Sequence, residues 1–479
     1  MSLTVMQNLL LNNLMYMRES DGPFGNLADF TGRRIGDYIS ALDLSGWEDP
    51  DPEHPPMTTA QEWRDIVKAI RSDPFLMNMK IVTVYTDLTP RGGACRSAVF
   101  YSASTRDAAV VFEGTEIVAG SAQWRDNFYS ANLADSLHQL QALKWYKKVY
   151  NKYHLNRREV TLTGHSKGGN KAKYIMILDG RADHCESFNG EGFSDKFFDK
   201  YAALIAKRRH KIHNHIVNYD YVSLLLNDIG EETYYFGANY GSGGFTENHL
   251  SNTFMRFDEE GNIHLDIDLN GRPPEMKAFD EFCNSYLRSM DDQSRTASLK
   301  TMYAVLNAIL SVDRTMNADE VAHVFIELAR EESQRTAIAY FTAYVIRYEQ
   351  ANPEVKVLLN NVFEKFDLKG IVQYIDMADQ ILNWQKKVLF VNLTFQTLMW
   401  ITAAVVKTIP RWVFKRVEED IAKKGVHLST EQLQQLQMIL IRIEADLRKI
   451  VLTEEKTDRL IPEPETEEVR EKQDDANNL

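Results

Sequence analysis

The sequence contains little cysteine and no excess of basic residues. Its 479 residues include three cysteines, Cys95, Cys185 and Cys283, which are widely spaced and odd in number. This usage is typical of a reducing compartment and argues against both a disulfide framework and a zinc site. Lysine and arginine total 55 against 68 aspartate and glutamate residues, which gives a net charge of −13. That acidic balance argues against nucleic acid as the main partner.

The first 20 residues also lack the features of a secretory signal. They include apolar residues, but they have no basic leader and no small-residue cleavage site. We therefore expect a cytoplasmic protein. The 44% hydrophobic and 26% charged content is typical of a soluble globular protein, and the length predicts two or three domains.

Short β-branched runs alternate with helical runs between residues 79 and 268. The predicted strands lie near residues 79–86, 96–103, 108–114, 159–163, 184–190 and 213–218. Long helices are predicted at about 134–154 and 194–208. Such alternation is typical of βαβ units. We therefore predict an α/β fold with a mostly parallel sheet covered by helices.

The chain changes character at about residue 270. Strand patterns end there, glycine becomes rare, and residues 276–455 have the apolar spacing of successive helices. Ser429 to Gln432 has the pattern of a capping box at the start of a long helix. Residues 461–479 carry seven acidic and two basic residues with few apolar ones. We predict an α/β domain over 1–270, a helical domain over 271–460 and a disordered acidic tail over 461–479.

Gly164, Ser166 and Gly168 form a Gly-x-Ser-x-Gly pattern between a predicted strand and a predicted helix. This context is typical of a nucleophile elbow, in which a sharp turn holds the serine hydroxyl clear of the sheet. We expect glycine at both positions because a Cβ there would collide with neighbouring backbone. The amide of Lys167 would then point at a developing oxyanion.

A serine nucleophile needs a base and an orienting carboxylate. The elbow predicts an α/β-hydrolase-type fold, and in that fold the acid follows the serine in the chain and the histidine follows the acid. Asp220 comes directly after a β-branched strand, which would bring it to the same sheet edge as the elbow. A helix-cap or turn role remains open for it, and Asp228 is a competitor. His249 lies in a polar loop, where it is either the base or a surface histidine. His264 lies in an alternating strand and is expected to face solvent.

The second oxyanion donor normally comes from the loop after an earlier strand. Thr115 follows the strand that ends at Gly114, so its amide is the candidate, with a simple turn as the alternative. His213 and His215 lie on the strand before Asp220, but no third ligand is in sight. We therefore expect no metal site there, and the predicted chemistry needs no cofactor.

Together these residues resemble the class 3 lipases. They most resemble a bacterial branch of lipase-like proteins whose elbow commonly reads Gly-His-Ser-Lys-Gly-Gly. The likeness covers about residues 1–268 and rests on the following matched positions: residues 110–115, Trp124, Asp126, residues 161–169, residues 188–190, Asp220 and His249.

The resemblance implies specific roles for the matched residues. Ser166 would be the nucleophile, His249 the base and Asp220 its orienting acid, while Thr115 and Lys167 would supply the oxyanion amides. Two residues depart from the lipase pattern. Glu113 replaces the usual arginine before the Gly-Thr pair, and Lys167 replaces an apolar residue. Both changes put charge beside the expected pocket, which counts against triacylglycerol as the substrate.

Residues 388–406 form a 19-residue run without charge, bracketed by lysines and arginines. A bilayer crossing takes about 20 residues, and the polar residues within the run make insertion less favourable. A buried core helix, an interfacial or lid helix and a true span all remain open. A helix of this kind would also allow peripheral membrane contact.

The sequence therefore predicts a serine hydrolase that cleaves a carboxylic ester through an acyl-enzyme. Its substrate would be a small-molecule or lipid ester. The alternative is a non-catalytic lipid-binding or interaction protein that retains the hydrolase fold.

Overall fold

A computed structural model describes residues 3–20, 22–49, 56, 58–87, 95–115, 122–238, 247–258, 262–310, 318–365, 370–376, 378–380, 382–383 and 429–450. The apolar run 388–406 and the acidic tail 461–479 lie outside these residues. The chain divides into two compact units. The first consists of residues 1–276, 290–315 and 365–368, and the second of residues 277–289, 316–364 and 369–479. The predicted domain boundary near 270 stays a prediction.

The first unit is built on a seven-stranded sheet whose spatial order follows the chain. The strands are β1 (Lys80–Asp87), β2 (Cys95–Tyr101), β3 (Asp107–Phe112), β4 (Glu159–His165), β5 (His184–Phe188), β6 (Ile212–Val217) and β7 (Glu231–Tyr235). Strands β3 to β7 are parallel, whereas β1 and β2 pair antiparallel. The connections after β1 and β2 are too short for the crossover that a parallel pair requires. The predicted α/β class with a mostly parallel sheet is confirmed.

Helices cover both faces of this sheet. The helices of the first unit are α1 (Val5–Tyr16), α2 (Ile35–Ala41), α3 (Ala60–Arg71), α4 (Pro74–Asn78), α5 (Ala122–Ser130), α6 (Leu137–Lys152), α7 (Lys167–Leu178), α8 (Asp195–Arg208) and α10 (Asp292–Leu310). Between α8 and α10 the chain forms α9 (Pro274–Arg288), most of which belongs to the second unit. Capping boxes begin α1, α3 and α6, where the side chains of Thr4, Thr59 and Ser136 accept from the third helical amide.

Alternate residues of the central strands enter different cores. On β3, Ala109 and Val111 pack with helices α1 to α4, whereas Val110 and Phe112 pack with α6 to α8. Burial on both faces explains why these strands are almost continuously apolar. Because β3 to β7 are parallel, their carboxyl ends meet at one sheet edge, where the segments that follow them come together.

The described part of the second unit is helical. Besides most of α9, it contains α11 (Ala318–Leu328), α12 (Glu332–Ala351), α13 (Pro353–Lys365) and α14 (Thr430–Leu447). The capping box predicted at Ser429 is confirmed, because Ser429 and Gln432 each accept the other's backbone amide. Within the described ranges, no helix is both long and apolar enough to cross a membrane.

Candidate active site

Ser166 occupies a strained turn between β4 and α7. Its backbone has φ 59° and ψ −129°, a conformation that side-chain-bearing residues rarely adopt. The turn is fixed by its amide, which donates to the Phe188 carbonyl at 2.9 Å. A Cβ at Gly164 would lie 2.1 Å from the carbonyl carbon of Gly168, and one at Gly168 would lie 2.0 Å from the Phe112 carbonyl oxygen. The turn therefore requires glycine at both positions.

Asp220 and His249 meet in a buried pair. The Nδ1 atom of His249 lies 2.5 Å from Oδ1 of Asp220, and both side chains are almost fully buried. The second carboxylate oxygen accepts the Ser223 amide at 2.6 Å. A carboxylate can only accept, so Nδ1 carries the proton and a neutral His249 keeps a free lone pair on Nε2. That tautomer suits a general base.

The His249 segment is held in place by three hydrogen bonds to other elements. Nε2 of His165, the residue before Ser166, lies 2.7 Å from the His249 carbonyl oxygen. The hydroxyl of Ser251 donates to Oδ1 of Asn13 on α1 at 2.7 Å. The amide side chain of Asn252 donates to a Glu62 carboxylate oxygen on α3 at 2.8 Å. The sheet, α1 and α3 thus fix this segment next to the elbow.

The structure brings His249 to Asp220, but it does not join Ser166 to either of them by a hydrogen bond. Throughout the described part of the chain, the Ser166 hydroxyl has no hydrogen-bond partner, and only 7% of the residue is exposed. Serine–histidine contacts are often long in structures without substrate and tighten when substrate binds.

Two backbone segments approach Ser166 from the sides where oxyanion donors are expected. Lys167 is the first residue of α7, so its amide has no partner within the helix and lies at the positive end of the helix dipole. On the other side, a Cβ built on Gly114 would lie 3.0 Å from the Ser166 Cβ, so the Gly114–Thr115 segment runs close to the serine. The Thr115 hydroxyl accepts from Nδ2 of Asn127 on α5 at 2.9 Å.

The two unusual charges beside the elbow are compensated. The Lys167 ammonium, only 1% exposed, lies 2.8 Å from both the Glu191 carboxylate and the Ser130 hydroxyl. Glu113 is equally buried and accepts from Nε and Nη2 of Arg18 at 3.0 and 2.5 Å. Neither side chain presents an unpaired charge. The sequence argument against triacylglycerol as the substrate, which rests on these two charges, stays a prediction.

Asp126 extends the polar network around Lys167. Its carboxylate lies 3.7 Å from the Lys167 ammonium and 3.5 Å from Nδ1 of His138, and it accepts from the Ser136 hydroxyl at 2.7 Å. Burial opposes ionisation of Asp126, but the charge of Lys167 and the neighbouring His138 hold its pKa below the ordinary value. Burial lowers the pKa of His138 to about 4, aided by Lys171 and opposed by Asp126.

The competing candidates lie elsewhere. Asp228 forms an ion pair with Lys173, and burial raises the pKa of this carboxyl. His264 is exposed, as its strand pattern predicted, and lies 3.3 Å from Asp266. His215 is 2.7 Å from Glu186 and 2.9 Å from the Tyr235 hydroxyl. Within the described ranges, no group of three metal-ligating side chains occurs.

Sequence reasoning missed Tyr16 and His165. The Tyr16 hydroxyl lies 2.8 Å from Nδ1 of His165 and accepts the Gly114 amide at 3.2 Å. His165 lies inside the elbow pattern, directly before the serine, and this position could have indicated a role at the site. Tyr16 lies on α1, where the asparagines Asn12 and Asn13 interrupt an apolar run. Buried asparagines in a helix need polar partners, which indicates that this helix packs against polar groups.

Comparison with known protein families supports the predicted resemblance at the level of a lipase-like family. The model of the Mbeg1-like family matches residues 70–239. This match supports a lipase-like family for that segment and does not test the assignment to the bacterial branch. No curated protein sequence matches the chain.

Similar solved structures include three fungal lipases. The Lip2 lipase of Yarrowia lipolytica is 13% identical, with 33% of this chain and 66% of that one covered and a TM-score of 0.26. A Rhizomucor miehei lipase–propeptide complex is 14% identical, with 37% and 66% covered and a TM-score of 0.24. A lipase from Rhizopus microsporus var. chinensis is 14% identical, with 46% and 81% covered and a TM-score of 0.25. This chain thus spans 66% of the length of each of the first two lipases.

Proposed function

We propose that this protein is a serine hydrolase that cleaves a carboxylic ester. The observation that carries the proposal is the combination of a strained serine turn with a buried histidine–carboxylate pair, whose His249 carbonyl contacts the elbow residue His165. A strained backbone persists only where the surrounding structure enforces it, and such strain clusters at functional sites. A lipase-like family match over residues 70–239 is consistent with this chemistry.

In the proposed reaction, Ser166 Oγ attacks the ester carbonyl carbon while Nε2 of His249 takes the hydroxyl proton. Asp220 stabilises the resulting imidazolium through the 2.5 Å contact with Nδ1. The amides of Lys167 and Thr115 donate to the oxyanion of the tetrahedral intermediate. Collapse transfers the proton to the departing alkoxide and releases an alcohol. Water then attacks the acyl-enzyme by the same route, which releases the acid and restores Ser166.

The elbow network suits this proposal electrostatically. The Lys167 ammonium forms an ion pair with Glu191, so its charge is compensated beside the serine. The same contact holds the first turn of α7, whose amide is the proposed oxyanion donor. We further propose that the substrate is a small-molecule or lipid ester and that the protein is cytoplasmic. Peripheral membrane contact through residues 388–406 remains part of the proposal, although those residues lie outside the described ranges.

A fluorophosphonate probe tests the proposal directly, because it labels only an activated serine. The wild type should be labelled and should hydrolyse p-nitrophenyl esters, assayed from acetate to palmitate to define the acyl preference. Ser166→Ala should abolish labelling and lower kcat by at least about 10³-fold, since losing a nucleophile costs several orders of magnitude.

Ser187→Ala is the matched control. Ser187 is a fully buried serine on β5, and its hydroxyl has no hydrogen-bond partner in the described part of the chain. This variant should keep wild-type labelling. An unlabelled wild type that hydrolyses no ester would instead favour the alternative, a lipid-binding or interaction protein with a retained hydrolase fold.

A further inference from the structure

A chain of hydrogen bonds runs through Tyr16 and His165 and connects the two segments that flank Ser166. The Gly114 amide donates to the Tyr16 hydroxyl at 3.2 Å, and this hydroxyl lies 2.8 Å from Nδ1 of His165. On the other side of the ring, Nε2 of His165 lies 2.7 Å from the His249 carbonyl oxygen. This series of hydrogen bonds therefore starts one residue before Thr115 and ends at the backbone of His249.

The direction of each hydrogen bond follows from the chemistry of the partners. A carbonyl oxygen can only accept, so Nε2 of His165 carries the proton and donates. In a neutral ring Nδ1 must then accept, and the Tyr16 hydroxyl is its donor. Burial lowers the pKa of His165 well below its ordinary value, which keeps the ring neutral. Burial also raises the pKa of Tyr16, which keeps the hydroxyl protonated. Every donor in the chain thus has one acceptor.

We propose that Tyr16 and His165 are positioning residues, which together hold the Thr115 amide and the His249 ring at Ser166. This inference rests on the proposed hydrolase function. Neither side chain would touch the substrate. Their role would be to fix the distance between the oxyanion donor and the base. Displacements of about 1 Å in such groups can cost about 10²-fold in rate.

Other contacts allow this role to be separated from folding. The His249 segment is also held by the Ser251–Asn13 hydrogen bond, and the strand end before Gly114 is held by Lys171, whose ammonium donates to the Glu113 carbonyl at 3.1 Å. Loss of the Tyr16 hydroxyl would leave these contacts in place. We therefore expect a folded protein whose site is misaligned.

Tyr16→Phe removes the hydroxyl and keeps the ring. In this variant kcat for p-nitrophenyl butyrate should fall about 10- to 100-fold while KM changes less than about twofold, because alignment and not binding is lost. The rate constant for fluorophosphonate labelling should fall in parallel. Activity is expressed per site titrated with the probe, so a smaller folded fraction does not imitate the effect.

Tyr38→Phe is the matched control. Tyr38 is a fully buried tyrosine of α2, and its hydroxyl donates to the Gly25 carbonyl at 3.1 Å. This variant loses an equivalent group and should keep kcat within about twofold of the wild type.

The double variant His165→Asn with Tyr16→Phe should lower kcat no more than the worse of the two single variants does. The reason is that the effects of residues in one hydrogen-bonded unit are not additive.

Nitrogen NMR of His165 reports on the hydrogen bonds of its ring independently of turnover. The wild type should show a neutral ring with the proton on Nε2, and Tyr16→Phe should shift the Nδ1 resonance toward that of an unbonded nitrogen. An unchanged Nδ1 resonance, or a reactive wild type with an equally reactive Tyr16→Phe variant, overturns the positioning role alone. A wild type that never reacts with the probe overturns the hydrolase proposal and the positioning role together.

Discussion

Acid should destabilise this protein through protonation of His138. His138 is 3% exposed and lies among Asp126, Lys167 and Lys171, where burial lowers its pKa from 6.5 to about 4. Between these two pH values the unfolded chain binds a proton on His138 that the folded chain does not. The free energy of unfolding therefore falls as the pH drops from about 6.5 to about 4, and this contribution is constant above that window.

The size of the effect follows from the difference between the two pKa values. About 2.5 pKa units at about 1.4 kcal/mol each give a loss of about 3 kcal/mol for this one residue. His138→Gln removes the titrating group and keeps a polar side chain of similar size. Its unfolding free energy should therefore fall less than that of the wild type over the same interval, by about this amount.

Urea unfolding followed by far-UV circular dichroism at several pH values from 7 to 4 measures the difference. The control is His264→Gln, which replaces an exposed histidine of the short strand Ile263–His264 and should follow the wild type. Parallel stability curves for wild type and His138→Gln would refute the reasoning. A wild type that gained stability on acidification, relative to this variant, would refute it as well.

Two further predictions concern the site and its supporting charges. His249→Ala should lower kcat nearly as much as loss of the nucleophile does, and Asp220→Asn somewhat less, because the three groups act as a unit. An ester-hydrolysis assay checks this, and an essential His264 would show that the base is wrongly assigned. Arg18→Leu should reduce the free energy of unfolding by about 2–3 kcal/mol in urea, because it removes the partner that lies 2.5 Å from the buried Glu113 carboxylate. Adding Glu113→Gln should restore most of that loss, and no recovery would contradict the ion-pair explanation.

The features that could be predicted from sequence are those encoded locally or by strand order. The strand, turn and helix around Ser166 carry their own signal, because the turn needs glycine at Gly164 and Gly168. The meeting of Asp220 with the later His249 follows from parallel strands that end at one sheet edge. Their catalytic roles stay predictions.

The features that could not be predicted depend on partners far away in the chain. The direction of the Lys167 side chain is set by Glu191, 24 residues later, and by Asp126 on α5. Likewise, Tyr16 and His165 are 149 residues apart, and no local pattern joins them. Sequence spacing indicates which charges exist, but only the fold shows which of them are compensated.

Helix α1 also has a consequence for the order of assembly during synthesis. Asn12 donates to the Thr163 hydroxyl on β4 at 2.8 Å, and the partner of Asn13, Ser251, lies 238 residues further along. At the ribosome, α1 is therefore complete long before either partner exists, and closing so long a loop is slow. These two hydrogen bonds of α1 can therefore form only after residues 163 and 251 have been made.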